Sequence, residues 1–267
     1  GCPHKCTFCK LNFQKNVARS AESVIAEFRD IHDLGIREVE VYDDTFTWSR
    51  RRLREICEGL IEADLKIEWA IRDRVSSSSV DDDLLGLMYK AGCRRIHFGI
   101  ESGSQNIIDK MKKRITTQQA RDAVRLAKSA GMTVLTYFMF GNEGETIEDM
   151  RETINFALNL NADYAQFSIT IPYAGTELFT NALESGVITK DYWHEYATQP
   201  TANFVPPEII EEYASLETLL KIRDEAVRRF YFRPRYILRE IKNLNSFDEF
   251  LRKTRMGMQL AQSVYIK

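Results

Sequence analysis

The chain has 267 residues and a formal net charge of −2, and 28% of its side chains are charged and 44% hydrophobic. At roughly 150 residues per domain, this length allows one large domain or two small ones. The near-neutral charge gives no electrostatic argument for a nucleic-acid partner, and no apolar run reaches the roughly 20 residues that cross a bilayer, so no transmembrane segment is predicted. The five cysteines are odd in number and three of them lie close together. This usage argues against a disulfide scaffold and predicts a reducing cytoplasm.

Amphipathic helical patterns alternate with short β-branched runs between residues 20 and 173. The spacing predicts helices over residues 20–35, 49–64, 81–92, 116–131 and 146–161. It predicts strands over residues 36–44, 66–73, 93–102, 132–141 and 163–173, and the serine run 76–79 is interpreted as a loop. Strands separated by helices in units of about 30 residues are typical of right-handed βαβ crossovers and a parallel sheet.

The side-chain alternation within the strands separates two parallel-sheet architectures, an open doubly wound sheet and a barrel of β/α units. In the third predicted strand, Ile96, Phe98 and Ile100 share one face, whereas His97 and Glu101 share the other. A strand covered by helices on both faces is a continuous apolar run, and these strands are not. We therefore predict an α/β fold, an incomplete (β/α)6-type, TIM-like barrel with a polar interior.

After about residue 176 the alternation gives way to helical patterns. Helices are predicted over residues 176–186, 215–232 and 246–266, with a proline-rich connection at residues 200–209. The sequence thus predicts two regions, a barrel core over residues 1–176 and a helical C-terminal extension over residues 177–267 that packs on it. A first barrel strand is expected to precede Gly1.

Three cysteines, Cys2, Cys6 and Cys9, form a C-x-x-x-C-x-x-C cluster at the start of the chain. Thiolates bind soft metals, so zinc and iron–sulfur clusters are the candidates. A structural zinc site needs four ligands, and a ferredoxin-type carrier also uses four thiolates per cluster. Three thiolates on a four-iron cluster leave one iron open, as a catalytic metal site requires.

A fourth ligand remains open as an alternative, and the candidates are His4, Cys57 and Cys93. Cys57 lies within an apolar helical stripe, and Cys93 lies where a helix passes into a strand. Both contexts are ordinary for a buried thiol that binds no metal.

The stretch "CPHKCTFC" resembles the cysteine signature of the radical S-adenosylmethionine (SAM) superfamily. Further stretches at strand ends agree with it, namely "YDDTFT", "HFGIESGSQ", "MFGNEGETIEDM" and "ITIPYAGTEL", together with "RRFYFRPRYILREI" in the tail. Together they resemble the subgroup associated with a cobalamin-binding domain, which includes anaerobic Mg-protoporphyrin ester cyclases and cobalamin-dependent methylases. Two turns depart from the family pattern, since Glu143 replaces the proline of G-x-P-G-E-T and Ala174 that of P-Y-P-G-T.

The resemblance implies a [4Fe–4S] cluster on the three cysteines and SAM at its open iron. One electron from an external reductant, a flavodoxin or ferredoxin, then cleaves SAM to methionine and a 5′-deoxyadenosyl radical. The subgroup implies methyl transfer or oxidative cyclisation on a small-molecule, lipid or tetrapyrrole-type substrate. Cobalamin enters only by this resemblance, through a domain that would precede Gly1.

The resemblance also assigns charged side chains at strand ends to SAM. Asp44, with Asp43 beside it, is expected to accept hydrogen bonds from the SAM ammonium, or to cap the following turn. Glu101 is expected to bind the ribose hydroxyls, or else to form an ion pair with Arg95 or Arg72. Arg72 is expected to pair with the SAM carboxylate, or with Glu68 alone.

Less polar positions complete the expected cofactor site. Phe8 and Gly141 are expected beside the adenine, and Ile171, followed by Pro172, on its other side, although each also suits ordinary packing or a turn. Ser102, with Ser104, is a weaker candidate for the SAM carboxylate.

Two further features have more than one interpretation. His97 lies deeper in the predicted barrel, where it would meet substrate, act as an acid or base, or remain an interior histidine. The basic run from Lys110 to Arg114 is interpreted as a solvated face, with contact to an anionic substrate as the alternative.

Three rival functions stay open. The first is a non-catalytic zinc or iron–sulfur structural module. The second is a methylthiotransferase-like radical SAM enzyme, although the chain lacks the extra cysteines of a second cluster. The third is a protein that binds SAM without cleaving it.

Overall fold

The computed structural model describes residues 1–10, 17–74, 81–204, 214–244 and 246–265. Within these ranges the chain forms five strands: β1 Glu38–Val41, β2 Glu68–Arg74, β3 Cys93–Glu101, β4 Thr133–Phe140 and β5 Tyr164–Ile169. The helices that follow or precede them are α1 Ala21–Asp33, α2 Arg50–Glu62, α3 Asp82–Lys90, α4 Gln105–Lys110, α5 Thr117–Ser129 and α6 Ile147–Leu160. The later helices are α7 Glu177–Glu184, α8 Tyr192–Thr198, α9 Leu216–Tyr231, α10 Pro234–Lys242 and α11 Phe247–Tyr265.

The sheet is parallel throughout, and its strands lie in the order β1-β2-β3-β4-β5. Each strand therefore neighbours the next one along the chain, as in a barrel of β/α units. A doubly wound sheet would reverse its strand order at a switch point, and this order has no reversal. The described strands do not close on themselves, so the predicted incomplete barrel is confirmed.

The two faces of the sheet differ as the alternation predicts. Ile96, Phe98 and Ile100 are fully buried on the face covered by helices. On the opposite face, Arg72 pairs in register with His97, and Gly99 with Tyr137. This polar face lines the interior of the incomplete barrel.

The helices begin at polar residues that satisfy their first backbone N–H groups. The side chains that cap them in this way are Ser20, Ser49, Asp81, Thr116 and Thr146. The chain between α3 and β3 turns at Gly92, whose φ is +98°. A Cβ there would lie 2.3 Å from the carbonyl oxygen of Ile67, so only glycine fits this turn.

Three α-helices, α4, α8 and α10, and a 3₁₀ turn over Phe46–Trp48 were absent from the sequence expectation. The predicted helix over 215–232 ends at Tyr231 as α9, and α10 begins with Pro234 at its first turn. Proline fixes φ and lacks an N–H, which suits a helix start and interrupts a helix interior. The serine run 76–79 and residues 205–209 of the predicted connection lie outside the described residues.

The C-terminal helices contribute to the core in two places. From α9, Leu219, Ile222 and Phe230 belong to the main apolar core beneath the sheet. The α7 region forms a smaller apolar cluster against which Phe8 packs. The division of the chain at residue 176 stays a prediction. Among the described residues, none of the helices is both long and apolar enough to traverse a bilayer.

Candidate cofactor site

The cysteine loop is held by its backbone at the carboxyl edge of the sheet. The buried Thr7 donates its N–H to the carbonyl oxygen of Met111 at 3.0 Å and accepts the N–H of Leu178 at 2.9 Å. Cys9 donates its N–H to the carbonyl oxygen of Cys6 at 3.1 Å, which forms a turn between these two residues. The loop is therefore fixed from both sides.

The three thiols are more open than the backbone that carries them. Cys2 and Cys6 are half-buried, and Cys9 is exposed. The surrounding protein nevertheless raises the pKa of the Cys9 thiol, first by desolvation and then through the neighbouring Cys6 and Cys2. The three sulfurs thus share one electrostatic neighbourhood on a single loop.

A single metal ion has no ready-made site in the described part of the chain. No three His, Cys, Asp or Glu side chains there converge on one point as ligands of a single ion. The ligands of a four-iron cluster bind separate irons, so convergence is not the relevant test for them. Three thiols of accessible position on one loop form a donor set that fits a [4Fe–4S] cluster.

The other two cysteines are buried thiols, as expected. Cys57 in α2 and Cys93 at the start of β3 are both fully buried. Burial raises the pKa of Cys57 to about 12 and raises that of Cys93 as well. Deprotonation is therefore unfavourable at either position.

The end of β1 lies beside the start of the cysteine loop. The backbone nitrogen of Gly1 lies 2.9 Å from Asp44 Oδ2. Asp43 and Asp44 are exposed, and the side chain that caps α2 is Ser49 rather than either acid. Both carboxylates therefore lie at the surface of this edge, and that of Asp44 is bound to the nitrogen of Gly1.

Glu101 ends β3 in a strained position. The register between β3 and β4 shifts between Gly99 and Glu101, and the φ of Glu101 is +75°. A left-handed backbone is costly for a residue with a Cβ and persists where surrounding contacts impose it. Its carboxylate is buried, with Oε1 accepting a hydrogen bond of 2.6 Å from Lys113 Nζ.

The expected ion-pair partners of these residues are wrong. Glu101 pairs with Lys113, whereas Arg95 lies 3.4 Å from Glu38 and Arg72 lies 3.5 Å from Glu40. Glu68 pairs with Arg94 instead of Arg72. Each residue lies on the predicted face of the sheet. Its ion-pair partner, however, comes from another strand or from a loop and differs from the partner that the sequence suggested.

Lys113 also corrects the interpretation of the run from Lys110 to Arg114. Its side chain is only 6% exposed, and its Nζ lies 5.7 Å from the centre of the Phe8 ring. The run is therefore not a simple solvated face, because the buried ammonium of Lys113 lies between Glu101 and the Phe8 ring of the cysteine loop. A buried cation within a charged run has no short-range sequence signal.

The loop after β3 is anchored to α6. Ser102 Oγ lies 3.0 Å from Thr153 Oγ1, and Ser104 Oγ donates to Asp149 Oδ1 at 2.7 Å. A Cβ on the intervening Gly103 would lie 2.5 Å from the Cβ of Phe156. Both serine hydroxyls have protein partners, and their contact with a SAM carboxylate stays a prediction.

The end of β4 turns at Gly141, whose φ is +83°. The N–H groups of Gly141 and Asn142 donate to Glu145 Oε2 at 2.8 and 2.9 Å. Glu145 is fully buried, and within the described part of the chain its Oε1 has no hydrogen-bond partner. Desolvation raises the pKa of Glu145 from 4.5 to about 7, against the opposing effect of these hydrogen bonds.

Glu145 was missed as a functional candidate, although it lies within "GNEGET". The motif predicted the turn, but nothing in the local sequence shows that the Glu145 carboxylate is buried under it and accepts its N–H groups. Ile171 and Pro172 follow the end of β5. Ile171 is half-buried and Pro172 is buried. The carbonyl oxygen of Pro172 accepts a hydrogen bond of 2.9 Å from Trp193 Nε1.

The barrel interior contains a set of polar side chains around His97. His97 Nδ1 lies 3.1 Å from Tyr137 Oη and 3.8 Å from Glu40 Oε1. His97 is buried, and desolvation lowers its pKa. No residue that the structure describes forms a hydrogen bond with its Nε2. Arg72 donates to Tyr42 Oη at 2.9 Å and lies over the Tyr42 ring. Polar and aromatic side chains thus line the interior below the rim.

The structure therefore brings the cysteine loop next to the ends of β1 and β3. Asp44 lies at the start of this loop, and the Phe8 ring faces the ammonium of Lys113, which pairs with Glu101. His97 and Arg72 lie deeper, with Tyr137 and Tyr42. An open parallel β/α barrel with a three-thiol loop at the carboxyl edge defines a class of metallocofactor enzymes that assemble their site from strand-end loops.

Residues 1–157 match the radical SAM superfamily, and the chain belongs to this family of enzymes. It is 35% identical over 251 residues to the "Uncharacterized methyltransferase PH0819" of Pyrococcus horikoshii, a match that covers 92% of this chain and 53% of that protein. It is 33% identical over 184 residues to the anaerobic magnesium-protoporphyrin IX monomethyl ester cyclase of Rubrivivax gelatinosus, over 67% of this chain and 33% of the cyclase. The chain thus spans about half or less of the length of these relatives.

The fold also has solved counterparts. The cobalamin-dependent S-adenosylmethionine radical enzyme OxsB, in a structure with aqua-cobalamin and S-adenosylmethionine bound, superposes with a TM-score of 0.68. The match covers 99% of this chain and 45% of OxsB at 16% sequence identity. At this identity the likeness shows a shared fold.

Proposed function

We propose that the chain binds a [4Fe–4S] cluster through Cys2, Cys6 and Cys9 and binds SAM beside it. When bound there, the cluster would supply the one-electron reduction that cleaves SAM to methionine and a 5′-deoxyadenosyl radical, and an external flavodoxin or ferredoxin would provide the electron. The observation that carries the proposal is the clamped loop. Thr7 fixes the backbone from two sides, and the three thiols remain outside at the edge where the strand-end acids lie.

The residues at this edge would orient SAM. Asp44, with Asp43, would accept hydrogen bonds from its ammonium, and Glu101 would accept those of the ribose hydroxyls. Gly141 would let the backbone approach the adenine closely. Five further positions complete the proposed contacts: Phe8 and Ile171 for the adenine, Arg72 and Ser102 for the carboxylate, and His97 for the substrate.

We further propose that the reaction is methyl transfer with cobalamin or an oxidative cyclisation. The names of the relatives, a methyltransferase and an ester cyclase, support these two classes. The substrate would be a small molecule of lipid or tetrapyrrole type that enters the polar barrel interior. Cobalamin would be bound by a separate domain, and the enzyme would act in the cytoplasm. The chain itself would consist of a barrel core of residues 1–176 and a helical extension of residues 177–267.

Anaerobic reconstitution tests the proposal. The reconstituted protein is expected to hold about four irons and four sulfides, as a [4Fe–4S] cluster requires. With dithionite and SAM it is expected to release 5′-deoxyadenosine. Cys9→Ala should abolish the release, whereas Cys57→Ala is the matched control for loss of a thiol outside the loop. Full cleavage activity in Cys9→Ala would refute the proposal, and zinc in place of iron would support the structural-module alternative.

A further inference from the structure

Lys113 lies at the centre of a backbone segment that adopts costly conformations. The residues on either side of it, Lys112 and Arg114, have φ angles of +54° and +55°. Non-glycine residues in the left-handed region cost of order 1 kcal/mol each and persist where surrounding contacts impose them. Two such residues around one buried lysine indicate that the fold directs this side chain inward.

Three contacts fasten the segment to the rim of the barrel. The carbonyl oxygen of Met111 accepts the N–H of Thr7, which belongs to the cysteine loop. Lys110 Nζ donates to the carbonyl oxygen of Gly144 at 3.2 Å, in the loop after β4. Lys112 forms an ion pair with Glu177 at the start of α7. The segment therefore joins the cysteine loop to the loops that follow β4 and β5.

The ammonium of Lys113 also connects the segment to the end of β3. Its Nζ lies 2.6 Å from Glu101 Oε1 and faces the Phe8 ring at 5.7 Å. Glu101 Oε2 makes no hydrogen bond to a residue in the described part of the chain, so it is the oxygen left for a ligand. The pair occupies the space beside Gly99, where a Cβ would lie 2.7 Å from Glu101 Oε1 and 3.3 Å from Lys113 Nζ.

A buried ion pair is weak support for stability alone, because apolar residues of similar size often serve as well. This pair lies between a proposed ribose ligand and the loop that carries the thiols. The Lys113 ammonium contacts one oxygen of Glu101 and faces the ring of Phe8, which lies between Cys6 and Cys9 in the chain. Its position therefore favours a role in the site over one in the core.

We propose that Lys113 is a positioning residue of the SAM site. Its ammonium orients the Glu101 carboxylate for the ribose hydroxyls and, through the Phe8 ring, keeps the cysteine loop in register with the end of β3. The inference rests on the proposed function, because it assigns Glu101 to the ribose. Lys113 itself acts through Glu101 and Phe8.

The first test measures SAM binding to the reconstituted protein by equilibrium dialysis. Lys113→Met is expected to raise the Kd for SAM about tenfold, because the carboxylate loses the charge-assisted hydrogen bond that holds it. The matched control is Lys128→Met, since Lys128 forms an ion pair of the same 2.6 Å length with Asp163 at the opposite end of the sheet. Its Kd should stay within about twofold of the unmodified protein, because Asp163 keeps a second partner in Arg239.

The second test needs no cofactor. Hydrogen–deuterium exchange of residues 1–10 in the metal-free protein should accelerate in Lys113→Met and stay unchanged in Lys128→Met. If Lys113→Met does not fold, Gly99→Ala replaces it in both tests, since the added methyl displaces the pair without leaving an unpaired charge.

The outcomes separate the two proposals. Unchanged SAM affinity and unchanged exchange in Lys113→Met, or in Gly99→Ala where it stands in, would overturn the role of Lys113. Failure of the unmodified protein to bind SAM would instead refute the proposed function. The exchange measurement would then still show whether Lys113 supports the cysteine loop.

Discussion

One buried glutamate ends β3 and another lies in the loop after β4, each strand end has a left-handed backbone residue, and the fold stabilises the two carboxylates differently. At the end of β3, Glu101, whose own φ is +75°, faces the ammonium of Lys113 at 2.6 Å. In the loop after β4, Glu145 accepts only N–H groups of Gly141 and Asn142, and its other oxygen has no hydrogen-bond partner among the described residues. The first carboxylate is held by a cation that also faces the cysteine loop. The second is a neutral-pH titrating group beneath a turn.

The difference has a functional side. The carboxylate of Glu101 is held in place by a cation and, in the proposed site, accepts hydrogen bonds from a ligand. The pKa of Glu145 is raised to about 7, so the charge of this carboxyl changes with small changes of pH near neutrality. The two strand ends thus hold their carboxyl groups by different means, an ammonium at β3 and N–H groups at β4.

The largest expected effect comes from breaking the pair at β3. Glu101→Gln should lower the free energy of unfolding by about 4 kcal/mol, because it leaves the buried Lys113 ammonium without its counter-ion. Glu101→Gln combined with Lys113→Met should recover about half of that loss, since no unpaired charge remains. Urea unfolding at pH 7 measures both. A cost below about 1 kcal/mol for the single variant would mean that the pair is no stronger than an exposed one.

The second prediction concerns Glu145 and pH. Its pKa in the folded protein, about 7, lies above the ordinary value of 4.5, so the native state binds its proton more tightly than the unfolded chain. This contribution to stability is complete below about pH 4.5 and is lost as the pH rises through about 7. The total loss by pH 8 is about 3 kcal/mol.

Glu145→Gln should remove that dependence, because glutamine keeps the accepting oxygen and carries no charge. Relative to the unmodified protein, the variant should therefore gain stability from pH 5 to pH 8 in urea unfolding. Glu148→Gln is the matched control, since Glu148 lies three residues further on, in the first turn of α6, with its side chain 81% exposed. A difference between Glu145→Gln and the unmodified protein that does not change with pH would contradict the prediction.

The architecture of the sheet was predictable because it depends on short-range periodicity. Alternation of Ile96, Phe98 and Ile100 with polar residues determines which face is buried, and the helical periods mark the crossovers. The positions of the cysteines were equally accessible, since their spacing is local. The strand ends carry the motif residues, so Glu101 and Gly141 could be placed at the ends of β3 and β4 without knowledge of their contacts.

The partners of these residues were not predictable, for a physical reason. Arg72, Arg95 and Lys113 are all cations that a carboxylate at the end of β3 could attract, and only the tertiary arrangement decides among them. Lys113 faces inward because its neighbours adopt left-handed φ angles, which no charge pattern shows. Glu145 is buried because the turn at Gly141 folds over it, and a carboxylate in a polar loop gives no sign of that.

The third prediction concerns how the loop after β3 rests on α6. Gly103→Ala should cost about 2 kcal/mol, because the new Cβ would approach atoms close to the helix backbone that cannot move independently. These atoms are the Cβ of Phe156 at 2.5 Å and the Cα of Thr153 at 2.8 Å. Gly86→Ala is the control, since no atom lies within 4 Å of its added Cβ in α3. That substitution should stabilise the protein by about 0.5 kcal/mol in thermal unfolding, and an equal effect of the two would contradict the packing argument.

The smallest effect tests whether the two strand ends act independently. Thr170 Oγ1 donates to Asn142 Oδ1 at 2.8 Å, and Asn142 Nδ2 donates to Glu145 Oε2 at 3.0 Å. Thr170→Val should cost about 1 kcal/mol, because it leaves the buried Asn142 oxygen without a donor. Combined with Glu145→Gln, the two costs should deviate from additivity by about 0.5 kcal/mol, since both substitutions act on Asn142.

Combined with Glu101→Gln, the same Thr170→Val substitution should be additive, because Glu101 and Asn142 share no hydrogen-bond partner among the described residues. Urea unfolding of the three single and two double variants at pH 6 measures both cycles. Equal coupling in the two cycles would show that the ends of β3 and β4 respond as one unit. Coupling confined to the Asn142 cycle would leave the cation-held carboxylate of β3 and the titrating carboxyl of β4 as separate determinants of the rim.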